Sequence, residues 1–309
     1  MQTISLGNGE LTASRVILGL MRITDMPDAE IRALVGAAME AGITMIDHAD
    51  IYGGKVHHCE ARFGAAMKLT AADRAGVVIQ TKAGIRPGYF DFSEAHLLAS
   101  VDGSLKALKT DYIDVFLLHR PDALVEPEEV ASAFDKLHAS GKVRHFGVSN
   151  QTPGQIELLK SAVTQPLIVN QLQLSITHAP MIAQGIAMNM EGAEQSVDLA
   201  LGIVDYSRLK GMTIQAWSPF QKRFFDGVFV GDRESHLDLN IALDEIAEAH
   251  RITPTGVAVA WITRHPAQMQ VVLGTTKPER VRECVAGAGA VLSRAEWYRL
   301  FVAAGYRLP

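Results

Sequence analysis

Eight times along this chain a short run of β-branched and apolar residues gives way to a segment with helical periodicity. Strands separated by helices pair in parallel, because a crossover helix returns the chain to the same end of the sheet. The runs expected to be strands are Val16–Gly19, Thr44–Ile46, Val77–Thr81, Ile113–Leu118, Arg144–Val148, Leu167–Asn170, Thr213–Trp217 and Gln270–Leu273. The first helix starts near Asp28, presents Ile31, Leu34, Val35, Ala38 and Met39 on one face, and stops at Gly42. Further helices are expected at His57–Leu69, Ser93–Lys109, Glu128–His138, Pro153–Ala162, Ser196–Leu209, Leu237–Ala249, Thr255–Arg264 and Pro278–Ala286. Eight such units favour an α/β fold closed as a (β/α)8 TIM barrel over an open doubly wound sheet. The open alternative also asks for Gly-x-Gly-x-x-Gly after the first strand, and Gly19-Leu20-Met21-Arg22 does not supply it.

Two additions flank the repeat. Thr3 to Leu11, around Gly7-Asn8-Gly9, reads as an N-terminal β-hairpin. Ser293-Arg294-Ala295-Glu296 is a capping box that opens a last peripheral helix, Arg294 to Ala304. Only a short tail follows, which suggests an open site and tolerant recognition. With no linker or low-complexity tract, residues 1–309 read as one domain, within the range of a barrel of ~250 residues or somewhat more. The net charge of −5 and the lack of basic runs interleaved with aromatics argue against nucleic acid and anionic membranes as partners. Two cysteines, Cys59 and Cys284, imply no disulfide framework and fit a reducing compartment. The start lacks a signal-peptide pattern, and no apolar stretch approaches the ~20 residues of a membrane span. The expected location is cytoplasmic.

In such barrels the active site lies at the carboxyl ends of the strands. Asp47 and Tyr52, Lys82 and His119 follow the second, third and fourth strands, so they would meet on one rim. Each has a plainer reading. Asp47 could cap a helix, Tyr52 could pack on the barrel mouth, His119 could be a core histidine, and Lys82 could be a surface amine or a Schiff-base nucleophile. Taken together they form equipment for delivering a proton to a carbonyl oxygen. Tyr52 would be the acid, with Lys82 lowering a phenol pKa that is otherwise ~10, Asp47 anchoring Lys82, and His119 orienting the carbonyl. His57, His58 and Cys59 are consecutive, a spacing that helical geometry splays, so no metal is expected.

The ordered set resembles the aldo-keto reductase superfamily, and most of all a bacterial branch with poorly defined substrates. The family pattern Asp-Thr-Ala-x-x-Tyr-Gly appears as Asp47-His48-Ala49-Asp50-Ile51-Tyr52-Gly53, with His48 in place of the commoner threonine. Thr81-Lys82, Leu117-Leu118-His119, Gly147-Val148-Ser149-Asn150, Asn170-Gln171, Ala216-Trp217-Ser218-Pro219 and Pro278-Glu279-Arg280 follow in the family's order. The resemblance implies reduction of aldehydes and ketones with NADPH held across the barrel mouth, by a monomer or weak oligomer. It implies that Ser149, Asn150 and Gln171 bond the nicotinamide carboxamide and that Trp217 stacks on the ring. Ser218 and Phe220 would lie along the pyrophosphate. Gly274, Thr275, Thr276, Lys277 and Arg280, at the start of a helix favourable to anions, would form the 2′-phosphate site, although Gly274 stands where many relatives carry lysine. Glu283 would contact the adenine amine or face solvent. Met21 and Arg22 are placed at the pocket among the expected cofactor-binding residues, with Arg22 either recognising an anionic substrate or pairing with Asp50. Tyr89, Phe90 and the segments after Gln171 and Phe220 are further candidates to surround a small-molecule carbonyl substrate. Two other classes stay open on the residues alone: a non-catalytic nicotinamide-binding sensor for a partner protein, and a Schiff-base aldolase using Lys82.

Overall fold

In the computed structural model, described for residues 2–188, 190, 194–197, 199–222 and 226–309, the hairpin strands β1 (Thr3–Leu6) and β2 (Leu11–Ser14) pair antiparallel across a tight turn at Gly7–Gly9. Eight parallel strands then close a barrel. They are β3 (Val16–Gly19), β4 (Met45–Asp47), β5 (Val78–Ala83), β8 (Ile113–Leu118), β9 (Val143–Ser149), β10 (Leu167–Gln173), β11 (Thr213–Trp217) and β12 (Gln270–Leu273). A small hairpin, β6 (Ile85–Arg86) with β7 (Tyr89–Phe90), follows β5. The expected (β/α)8 architecture and N-terminal hairpin are therefore present.

The strands read as Val/Ile/Leu runs because both faces are buried. Alternate side chains divide between two cores. Ile17, Met45, Val115, Leu117, Val169 and Val272 point inward and pack with Ile4, Leu6 and Ala13 of the hairpin, which closes the barrel's amino end. Val16, Leu18, Ile46, Ile79, Phe116, Leu118, Phe146 and Val148 point outward into the larger core under the helices. The period of two decides everything above the floor. In β5 it places Val78, Gln80 and Lys82 inside and Ile79 and Thr81 outside.

The helical layer comprises α1 (Asp28–Glu40), α2 (His58–Met67), α3 (Ala71–Ala75), α4 (Glu94–Leu108), α5 (Pro127–Ala139), α6 (Pro153–Lys160), α7 (Pro180–Ile186), α8 (Ile203–Lys210), α9 (Leu237–His250), α10 (Pro254–Thr263), α11 (Pro278–Ala288) and α12 (Arg294–Ala303). Capping boxes start α3 at Thr70, α6 at Thr152 and α12 at Ser293. Proline occupies the first turn of α5, α6, α7, α10 and α11, where its missing N–H costs nothing. Helices α9 and α12 pack together outside the repeat, where Trp261 of α10 and Trp297 of α12 each donate an indole N–H to the other's carbonyl (3.1 and 2.9 Å).

The expected helix at Ser196–Leu209 is corrected. A single 3-10 turn spans Glu194–Ser196, and α8 begins only at Ile203, after Gly202 in the left-handed conformation. Asp198, within the expected span, lies outside the described residues. Helices α3 and α7 and the β6–β7 hairpin were not expected. Each is too short for periodicity to reveal.

Candidate active site

At the carboxyl ends of the strands lies a pocket of about 540 Å³. Asp47 ends β4, and Gly19 beside it lets β3 and β12 approach, since a Cβ there would lie 2.5 Å from Leu273 O. The chain then turns back at Gly53, whose φ of +93° suits glycine. That turn leaves Tyr52 over the rim. Lys82 is fully buried near the end of β5, and His119 immediately follows β8.

The four residues meet. Lys82 Nζ donates to Asp47 Oδ2 (2.7 Å), to His48 O (2.7 Å) and to Tyr52 Oη (3.2 Å). The His119 ring meets the Tyr52 ring edge-on at 5.9 Å. Burial opposes charge on Lys82, but Asp47 and Tyr52 outweigh it and hold the ammonium pKa above its ordinary value. Burial, with Lys82 and Arg120 adding to it, pushes His119 well below the ordinary imidazole value, so the ring is neutral near pH 7. Its Nδ1 is buried without a partner among the described residues. The expectation that Lys82 brings the Tyr52 phenol below its free value is corrected. Burial raises the phenol more than Lys82 lowers it, and Asp47 adds to the rise.

Asp47 is held from the other side by amides. Its Oδ1 accepts from Gln80 Nε2 (2.6 Å) and Gln171 Nε2 (3.0 Å). Both amides also donate to Gln215 Oε1 (2.9 and 3.0 Å). Gln215 Nε2 returns a bond to Gln80 Oε1 (3.1 Å) and donates to Gln270 Oε1 (2.9 Å). Gln80, Gln215 and Gln270 were missed in the sequence. Counting back by two from Lys82 and Trp217 finds the first two, and a polar residue inside an otherwise apolar strand was the available signal.

The rest of the pocket wall comes from the later strands. Ser149, Asn150 and Gln171 stand together, with Ser149 Oγ donating to Gln171 O (3.0 Å) and Asn150 Nδ2 donating to Ser149 Oγ (2.8 Å) and His119 O (3.3 Å). Asn150 sits at φ +59° and accepts from Trp217 Nε1 (3.1 Å), which fixes the indole plane. Arg120, half-buried, lies 5.6 Å over the Trp217 ring and also lines the pocket. Met21, Arg22, Ser218, Phe220, Gly274, Thr275 and Arg280 line it as well. Arg22 does not pair with Asp50. It donates to Gly274 O (3.1 Å), joining the loops after β3 and β12. Thr276, Lys277 and Glu283 lie beside this end without lining the pocket, and Lys277 is exposed. Tyr89 and Phe90 are corrected: they form β7, are exposed, and do not line the pocket. Among the described residues after Phe220, Gln221, Val228 and Val230 reach it, whereas those just after Gln171 do not; Arg223, Phe224 and Phe225 lie outside the described residues.

A second buried polar group lies behind Lys82. Glu60 accepts from Thr81 Oγ1 (2.6 Å) and pairs with His57 Nδ1 (2.6 Å), His58 Nδ1 turns to Gly53 O (3.1 Å), and Cys59 Sγ meets Thr24 Oγ1 (3.4 Å). The three consecutive residues thus diverge. His48 is buried against Phe63 with both ring nitrogens unpartnered among the described residues, and burial takes its pKa down to about 4.

A strand-end tyrosine, lysine, aspartate and histidine in contact under one pocket can protonate a carbonyl oxygen. The sequence model of the Aldo/keto reductase family matches residues 15–301. The chain belongs to that family. This aldo/keto reductase is 36% identical to an uncharacterized oxidoreductase, YcsN, of Bacillus subtilis, over 100% of both chains. It is 35% identical to a 6-dehydroglucose reductase of Agrobacterium fabrum, over 98% of both. Among solved structures it resembles the thermostable aldo-keto reductase Tm1743 in complex with the inhibitor epalrestat, at TM-score 0.78 and 25% identity, covering 98% of this chain and 100% of that one. The fold and the family make this reductase an oxidoreductase of the class that reduces carbonyls. Among the described residues no helix is long and apolar enough to cross a membrane.

Proposed function

We propose that this chain is an NADPH-dependent reductase of aldehydes and ketones in which Tyr52 is the general acid. The observation that carries the reading is Tyr52 Oη lying 3.2 Å from a fully buried Lys82 ammonium, itself 2.7 Å from Asp47, beneath a pocket that His119 and Trp217 also line.

Tyr52, with its raised pKa, is protonated at neutral pH. The neutral His119 imidazole donates to the carbonyl oxygen and aims it at Tyr52. As negative charge develops on that oxygen, the proton leaves Tyr52 Oη for it, and the phenolate left behind faces the Lys82 ammonium. That preorganised charge costs no rearrangement in the transition state. Asp47 keeps Lys82 protonated, and solvent restores the phenol proton after the alcohol leaves.

The donor set fits a nicotinamide. All four glutamines have both amide hydrogens engaged, Gln270 through Ser14 O and Met45 Sδ. Among the described residues Gln171 Oε1 is the one oxygen of the four amides without a donor, and Gln171 lines the pocket. An acceptor without a donor at the pocket wall suits a carboxamide N–H, and Trp217, its plane fixed by Asn150, suits stacking on the ring. Ser149 and Asn150 complete that wall. When bound, the reduced nicotinamide supplies the hydride that the carbonyl carbon receives. Gly274, Thr275 and Arg280, with Lys277 and Thr276 beside them at the start of α11, would hold a 2′-phosphate, with Ser218 and Phe220 along the pyrophosphate and Glu283 toward the adenine.

The aldolase reading finds less support. A Schiff base needs a free amine lone pair, and all three Lys82 N–H donors are engaged in a fully buried site. Nicotinamide absorbance followed with a panel of aldehydes and dicarbonyls tests the proposal. Turnover with at least one is expected, and none by protein that binds NADPH would overturn it.

A further inference from the structure

The amide chain inside the barrel has a direction. At its lower end Gln270 Nε2 meets Ser14 O (2.8 Å) and Met45 Sδ (3.6 Å), both of which can only accept. Gln270 must therefore turn its oxygen to Gln215, whose nitrogen meets it at 2.9 Å. Gln215 in turn presents its oxygen upward, where Gln80 and Gln171 each donate to it. At the top Asp47 Oδ1, again only an acceptor, receives the second hydrogen of both amides. Rotating the Gln171 amide by half a turn would bring its oxygen to about 3.0 Å from both Asp47 Oδ1 and Gln215 Oε1, where it would face two acceptors. Buried oxygens without donors are costly, so each amide is locked by the next.

We propose that Gln215 is a positioning residue that locks the Gln171 amide with its nitrogen toward Asp47 and its oxygen toward the pocket, so that the site selects a cofactor ring bearing a hydrogen-bond donor. The inference rests on the nicotinamide reading above and adds to it a residue that reaches the pocket only through Gln171. Asp47 supplies one of the two restraints on Gln171 and Gln215 the other. Replacing Gln215 with methionine, which is unbranched and apolar, removes the second restraint. It also leaves Gln80 and Gln171 each with an unpaired hydrogen that can be regained only by rotating.

The test is a pair of binding titrations read by quenching of protein fluorescence. One uses NADPH. The other uses the reduced 3-acetylpyridine analogue, which keeps a carbonyl at the same ring position and lacks the N–H donor. The wild-type chain is expected to bind NADPH about tenfold more tightly than the analogue, the ratio that one hydrogen bond supports. In Gln215→Met the ratio should fall to within about threefold, mainly by loss of NADPH affinity. Gln270→Met, one link further from the pocket, should move the ratio in the same direction by a smaller amount. A general loss of packing would weaken both ligands together and leave the ratio alone. An unchanged ratio in whichever variant folds overturns the inference while the cofactor reading stands. Failure of both variants to fold overturns it too, because the chain is then structural. If the wild-type protein binds neither ligand, the cofactor reading itself fails.

Discussion

Asp47 and Lys82 form an ion pair 2.7 Å long with side-chain exposures of 2% and 0%. Removing either charge alone leaves the other buried without compensation, the circumstance in which broken pairs cost about 3–5 kcal/mol. Asp47→Asn should therefore lower stability by that order, read as a drop in the urea midpoint at constant slope. Pairing it with Lys82→Met should recover part of the loss, since no buried charge then remains. The raised Lys82 pKa has a sign consequence. The stabilisation it represents is complete below the unfolded lysine value, ~10.4, and is lost as pH rises through the still higher folded value. The pair should thus hold its contribution throughout the neutral range.

Tyr52→Phe removes one oxygen and leaves the ring against His119. Without the general acid, kcat/KM for an aldehyde should fall about 10²- to 10⁴-fold. NADPH affinity should change little, because the groups proposed to hold the cofactor stand at the carboxyl ends of β9 to β12 and on α11, and Tyr52 is not among them. A fall in both together would mean that Tyr52 shapes the cofactor site and is not acting as the acid.

How much of this was readable beforehand follows from period and partner. The strands and barrel closure were legible because apolar runs recur with helical segments between them. Asp47, Lys82 and His119 were legible as residues at strand ends. What escaped had weaker local signals. Gln80, Gln215 and Gln270 sit inside strands, where a single polar residue carries no message until its inward neighbours across the barrel are known. The net direction of the Tyr52 shift was illegible for the same reason: sequence supplies the neighbouring charge but not the depth of burial.

Arg280 and Lys277 are both exposed, but Arg280 lines the pocket near Thr275 at the start of α11 and Lys277 does not. If this end takes the 2′-phosphate, Arg280→Ala should weaken NADPH by about tenfold or more, the scale of one charge-assisted hydrogen bond. It should affect NADH much less, and Lys277→Ala should have the smaller effect of the two. Fluorescence titration with both cofactors at two salt concentrations checks this, since salt weakens contacts between exposed charges.

Asp50 contributes to the pH dependence of folding from inside the loop that carries Tyr52. Its Oδ1 is buried with no partner among the described residues, and burial, with Glu60 nearby, raises its pKa to about 7. His57 and Arg86 act in the other direction without overcoming that. The folded state therefore holds this proton between the unfolded value, ~3.9, and about 7, where the unfolded chain has released it. Through that window the folded state binds more protons, so the group makes stability fall as pH rises, by up to about 1.4 kcal/mol per pH unit. His48, depressed to about 4 by burial, works oppositely, its contribution growing as pH rises from about 4 towards its ordinary value of 6.5. Asp50→Asn keeps the shape and removes the carboxyl titration while leaving His48 in place. The variant should thus gain stability relative to the wild type progressively from pH 5 to pH 7, and its own profile should rise over that range. Urea midpoints for the two proteins at pH 5, 6 and 7 measure the difference. A constant offset across the three would mean that Asp50 is already ionised in the folded state at pH 5, with water reaching the oxygen that the packing here isolates.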